Sequence, residues 1–305
     1  MLKSAIKSGL FLLIVGICIL MLKMRSFERG NEQALAVRAL TAADTSFFFI
    51  GSSRVQKSID PAIINAHYNR FRVFNLGVSG GSFLSNCVMA DFIIRQPGHK
   101  ILFIELAPLL EELPDGVFTF SRQHGLSPSQ AVLALTEKQS FPERSMLIMN
   151  TINHQVFKAV SVWREAREAI GYKTEPDVSL GYQPYDRNNS DGTASFLSWN
   201  EINGASAEPI GLERYQVMIG YLEGLAKRNN SRVVFFLPVT IPTKLERSIV
   251  IPLYHSISDT MKLGFPAPFL EHIAREEYLG DANHLNRQGA NAFSGMLVPL
   301  LERFY

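Results

Sequence analysis

Four short apolar runs constrain this chain most: "SFFFIG" (46–51), "FRVFNLG" (71–77), "HKILFIELA" (99–107) and "SRVVFFLPV" (231–239). Each is strand-length and too apolar to leave one face in water, which is the pattern of a parallel sheet covered on both sides. Helical segments lie between and after them. "PAIINAHYN" (61–69) opens on a proline, which favours a first helical turn. "SFLSNCVMADFIIRQ" (82–96) and "GLERYQVMIGYLEGLAKRN" (211–229) carry helical periodicity. "NRQGANAFSGMLVPLLERF" (286–304) reads as a closing helix with Asn286 as its N-cap. The alternation predicts an α/β fold: a three-layer, doubly wound, mostly parallel sheet of the flavodoxin-like kind.

The rhythm breaks between the third and fourth runs. Residues 127–170 look mainly helical, and residues 174–209 are rich in Pro, Gly, Asn, Asp and Ser and read as a long loop. The whole stretch, about 110–209, is expected to be an insertion, with its loop over the active site. The main domain is expected over 44–305, after a polar connector at 28–43 and an N-terminal membrane anchor at 1–27.

The anchor rests on residues 8–22, which carry no charge. Extending the run to 5–24 gives twenty residues, enough to cross a bilayer as one helix, with Lys7 and Lys23 able to snorkel to the headgroups. A cleaved signal peptide is the rival. No small-residue cleavage site follows directly, and Ala34-Leu35-Ala36 comes too late. Basic residues flank the run on both sides, so charge leaves both orientations open.

These flanks also hold the basic excess of the chain. The net charge is +2, yet residues 1–30 hold +4 and the remainder −2. Nothing in that balance points to nucleic acid. Cys18 and Cys87 are the only cysteines, and Cys87 is expected to be a buried apolar residue. No His/Cys cluster has metal-ligand spacing, and no GxGxxG or Walker motif is present, so neither metal nor cofactor is expected. Asn188-Asn189-Ser190 and Asn229-Asn230-Ser231 fit the glycosylation tripeptide, a pattern that arises often by chance.

Three constellations carry chemistry, each at an expected strand end or helix start, where ligands of open α/β sheets bind. In Gly51-Ser52-Ser53-Arg54 a serine hydroxyl stands at a sheet edge, either as a nucleophile or as the cap of a plain turn. In "FNLGVSGGS" (74–82) glycines let backbone N–H groups approach a ligand, which suits an oxyanion hole. The same stretch matches G-x-S-x-G over Gly77–Gly81, which would make Ser79 the nucleophile. In "GDANHLNRQGA" (280–290) Asp281 and His284 stand three apart, so one turn can supply a base and the carboxylate that orients it.

Together these blocks resemble the SGNH (GDSL-type) hydrolase superfamily. The resemblance covers the core strands and both ends of residues 44–305, not the middle insertion. Gly51-Ser52-Ser53 matches the Gly-Asp-Ser block, which implies Ser53 as nucleophile. Asn75–Gly80 matches the second block, which implies that the backbone N–H groups of Ser53 and Gly80 form the oxyanion hole. Asp281-Ala282-Asn283-His284 matches the closing Asp-x-x-His, which implies His284 as base and Asp281 as its orienting acid. This order favours Ser53 over Ser79. Two positions depart from the pattern. Ser52 replaces the usual aspartate, and Ala107-Pro108-Leu109-Leu110 stands where an asparagine should complete the oxyanion hole.

The anchor, Gly-Ser-Ser and "HLNRQGA" further resemble a membrane-anchored branch, the D-alanyl transfer and alginate O-acetylation proteins of the bacterial surface. That implies a single-pass protein of the cytoplasmic membrane with an extracytoplasmic domain. It would be a serine O-acyltransferase or O-acyl esterase acting on envelope polysaccharide or another acylated glycan. A membrane-bound O-acyltransferase supplying acyl groups is an implied partner. Water and a sugar hydroxyl both remain open as acyl acceptor. The missing asparagine keeps a second expectation open, an inactive SGNH-like scaffold or glycan-binding subunit. Arg54 is expected either to bind an anion near the site or to cover the sheet edge.

Overall fold

The computed structural model of the chain describes residues 45–68, 70–123, 126–137, 140, 144–152, 181–187, 196–204 and 212–305. The expected anchor and connector lie outside these residues, as do Cys18, residues 153–170, Asn188-Asn189-Ser190 and much of 174–209.

The four apolar runs form β1 (Thr45–Gly51), β2 (Arg72–Gly77), β3 (His99–Glu105) and β4 (Ser231–Phe236). They build one all-parallel sheet in the order β2-β1-β3-β4. Every residue of β1 is buried, as a strand with a neighbour on each edge and helices on each face must be. The sheet core is aromatic. Phe49 stacks on Phe103 at 4.7 Å, Phe48 on Phe74 at 5.2 Å, and Phe103 meets Phe304 edge-on at 5.2 Å.

The helices that follow β1 and β2 start where the sequence supplies caps. Ser52 caps α1 (Ser53–Ser58), Asp60 caps α2 (Pro61–Asn65) behind Pro61, and Ser82 with Ser85 forms a capping box on α3 (Phe83–Ile94). Further along lie α4 (Asp115–Gln123), α5 (Pro128–Leu135), α6 (Trp199–Gly204), α7 (Glu213–Arg228), α8 (Lys244–Ser256), α9 (Ala267–Ile273) and α10 (Arg287–Leu301). Asn286 caps α10 as expected, by accepting from the Gly289 N–H at 2.9 Å. Residues 144–152 are also helical.

Two helical groups cover the sheet, an arrangement consistent with three layers: α10 packs on α1 and α2, and α3 packs on α5 and α7. All twelve residues of α3 are buried, Cys87 among them. A helix without a polar face needs cover on every side. The sheet supplies one side, and α5 and α7 supply others. Of the described helices after β3, α5 roofs α3, while α4 starts beside the turn after β2, where Gly116 lies against Val78.

Residues 199–204 were expected in a loop and are helical. Ser198 and Glu201 are the cause. The Ser198 hydroxyl accepts from the Glu201 N–H at 3.1 Å, and the Glu201 carboxylate accepts from the Ser198 N–H at 2.9 Å. That S-x-x-E capping box was present in the sequence inside a stretch dominated by loop residues.

Winding reverses between β1 and β3: the chain leaves β1 for β2 on one side, then returns to add β3 on the other. The crevice for a ligand in such a sheet lies at the carboxyl ends of these two strands. Gly51-Ser52-Ser53 follows β1 there, and Glu105 ends β3 beside it.

Candidate active site

Ser53 is the first residue of α1, and its hydroxyl lies 2.8 Å from His284 Nε2. On the other side of the ring, Nδ1 lies 2.8 Å from Asp281 Oδ1 and 2.9 Å from Oδ2. Asp281 also caps its own turn, accepting from the Asn283 N–H at 2.8 Å and the His284 N–H at 3.0 Å. Its carboxyl sits at about 2. Burial alone would raise it, but hydrogen bonds from the His284 ring, the Asn283 N–H and the Tyr185 hydroxyl outweigh burial. An ionised carboxylate only accepts, so the ring proton belongs on Nδ1 and Nε2 is the acceptor for the Ser53 hydroxyl.

Burial holds His284 below the ordinary histidine value. Asp281 opposes that shift, while Lys57 and Arg54 add to it. The imidazole is thus neutral at neutral pH, the form in which it can take a proton.

Ser52 is the cap of the turn into α1. Its hydroxyl accepts from the Arg54 N–H at 3.2 Å. As the residue at the first helical position, Ser53 keeps an N–H with no partner inside the helix. Gly80 stands in the turn after β2 with φ of 74°, a conformation that disfavours any side chain. The two amides expected to form the oxyanion hole thus sit at the start of α1 and in the turn after β2. Ser79 is placed otherwise. Its exposed hydroxyl donates to Gln56 Oε1 at 2.9 Å, and among the described residues no histidine bonds it.

No asparagine side chain stands in the loop after β3. Pro108 O there accepts from the Phe83 N–H at 3.0 Å, and the Leu109 N–H donates to the Tyr215 hydroxyl at 2.7 Å. Two nearby amides have structural work: Asn75 Nδ2 donates to Val55 O and Ile59 O, and Asn86 Nδ2 to Glu105 O.

Arg54 binds anionic groups beside the site, and they are the protein's own. Its side chain is 9% exposed and faces two carboxylates. Nε donates to Glu105 Oε1 at 2.7 Å, and Nη1 donates to Thr240 O at 3.1 Å. Nη1 also forms an ion pair with Glu246 Oε1 at 2.7 Å. Burial works against its charge, but Glu105 and Glu246 outweigh burial and hold the guanidinium protonated. Glu105, wholly buried, also accepts from the Ser52 N–H at 2.5 Å and the Ser52 hydroxyl at 3.1 Å. Gly51 makes room for this carboxylate, since a Cβ there would lie 2.4 Å from Glu105 Oε2. A buried ionic cluster thus fixes the backbone just before Ser53. One sign of it was legible: a lone glutamate at the end of the apolar run "KILFIEL".

Tyr185 is the second feature missed. It stands in residues 181–187, a piece of the loop expected over the active site, and that piece does lie against the candidate site. The Gln183 N–H donates to Gln56 O at 3.0 Å, and the Arg287 N–H to Tyr185 O at 2.9 Å. Arg287 also pairs with Asp186 through two hydrogen bonds. Tyr185 reaches Asp281, and no motif in the sequence announced it.

Among the described residues no group of three or more His, Cys, Asp or Glu is placed to hold a metal ion. No helix among them is long and apolar enough to cross a membrane. Set beside known proteins, the chain matches no family model and no curated protein.

Proposed function

We propose that the chain is a serine O-acyl esterase or O-acyltransferase of SGNH type. The observation that carries this reading is the relay from Ser53 Oγ through the His284 ring to Asp281, with contacts of 2.8 Å at each end. In this reading Ser53 Oγ attacks an acyl carbonyl as its proton passes to His284 Nε2. The Ser53 and Gly80 N–H groups stabilise the tetrahedral oxyanion. The carbonyl then re-forms and expels the alkoxide, which takes the proton from His284. Water or a sugar hydroxyl attacks the acyl-serine by the same steps in reverse, yielding a carboxylic acid or a new ester.

The acyl groups are those of a cell-envelope polysaccharide, and the domain is extracytoplasmic, tethered by residues 1–27 to the cytoplasmic membrane. A membrane-bound O-acyltransferase supplies acyl groups to it. Support for this setting comes from the uncharged run 8–22 and the resemblance carried by Gly51-Ser52-Ser53 and "HLNRQGA" (284–290).

A fluorophosphonate probe tests the core of the reading. It should label the wild type, fail on Ser53→Ala and still label Ser79→Ala. The reverse pattern would transfer the nucleophile to Ser79. A folded wild type that takes no label would defeat the enzyme reading and favour the scaffold, which the loop Ala107–Leu110 without its asparagine already suggests.

A further inference from the structure

Asp281 is more open than the histidine it orients: its side chain is 39% exposed against 14% for His284. Oδ1 is well held, by two backbone N–H groups and the ring. Among the described residues, Oδ2 has only the ring and one further donor, the Tyr185 hydroxyl at 2.7 Å. That tyrosine belongs to neither chain segment that builds the relay.

Its placement is specified from four directions. The Arg287 N–H bonds its carbonyl. Its ring stands edge-on to the His284 ring at 5.6 Å between centroids. Lys57 Nζ lies 4.1 Å from the ring centroid on the side of α1, one helical turn after Ser53. Gly280 leaves the space the ring occupies, since a Cβ there would come within 2.3 Å of Tyr185 Cδ1. With Gln183 bonded to Gln56 on α1 and Asp186 paired with Arg287 on α10, the segment bridges the nucleophile helix and the acid–base turn.

Resting on the acyl-serine reading above, we infer that Tyr185 is a positioning residue: its hydroxyl locks the Asp281 carboxylate and its ring walls the His284 imidazole. The effect has two parts. A second donor on Oδ2 stops the carboxylate from turning away from Nδ1, which keeps Nε2 aimed at Ser53. The same donor draws off part of the carboxylate charge, so the imidazolium is less stabilised than by an unshared Asp281. The hydroxyl itself stays protonated, because its bond to Asp281, then burial, raises its own ionisation.

Tyr185→Phe in the full chain removes the hydroxyl and keeps the ring. Histidine titration by NMR, with His284 assigned through His284→Gln, should show the His284 pKa rising by about half a unit. With p-nitrophenyl acetate, kcat should fall about threefold to tenfold with KM nearly constant, and the acid limb should move to higher pH. Gly280→Ala, which must displace the same ring, should reproduce both changes if Tyr185→Phe folds poorly. An unmoved His284 pKa overturns the inference, as does an unchanged kcat in an active enzyme. Should the wild type hydrolyse no ester, the acyl-serine reading fails, and the titration alone then judges the hold of Tyr185 on the pair.

Discussion

Glu105→Gln tests the buried cluster under Ser53. The substitution keeps the shape of a side chain with no exposed surface and removes its charge. Three donors lose their anion: the Ser52 N–H, the Ser52 hydroxyl and Arg54 Nε. The new amide NH2 must face one of them, donor to donor. Removing one partner of a buried ion pair costs about 3–5 kcal/mol. Glu246 remains 2.7 Å from Arg54 Nη1 and keeps the guanidinium partly compensated. The lower end, about 3 kcal/mol, is therefore expected. For a domain of this size that corresponds to a fall in Tm of about 6–12 °C. Urea unfolding followed by circular dichroism should show a lower midpoint at constant slope. Arg54→Met combined with Glu105→Gln should cost less than the two singles together, with a coupling above about 1 kcal/mol, since the double variant leaves no unpaired guanidinium. A cost below about 1 kcal/mol for Glu105→Gln, or strict additivity, would match a solvent-screened surface pair and refute the argument.

Three further expectations follow from the same geometry. The rate of fluorophosphonate labelling should fall as pH drops, because the proposed reaction needs neutral His284, and the midpoint should lie below the ordinary histidine value that burial and Lys57 depress. Lys57→Gln removes a cation that disfavours the imidazolium, so its labelling midpoint should move to higher pH; a move to lower pH would contradict the electrostatic assignment. Phe49→Ala, which empties a fully buried site stacked on Phe103, should cost about 3–5 kcal/mol by urea unfolding; a loss below about 1 kcal/mol would mean the sheet core repacks around it.

Much of the fold was legible because its signals are local. An apolar run of six or seven residues declares a buried strand by itself, as β1 and β3 do. Caps such as Asp60-Pro61 and Asn286 act within three residues of the helices they start. Where two local signals competed, as the Ser198/Glu201 box did with its polar, loop-like surroundings, composition misled.

The candidate site divides along the same line. Ser53 stood out because it follows a strand end, and Asp281 and His284 because one turn holds both; their spacing is a property of the sequence. Tertiary structure alone decides that the Ser53 hydroxyl meets His284 Nε2 across 231 positions, while Ser79 meets Gln56. It also turns Arg54 inward onto Glu105 and Glu246, and carries Tyr185 across 96 positions to Asp281. A hydrogen bond between distant segments imposes no period and no spacing on either one. Sequence thus determined which groups this chain offers at its strand ends, and the packing of the sheet, α1 and residues 181–187 decided which of them touch.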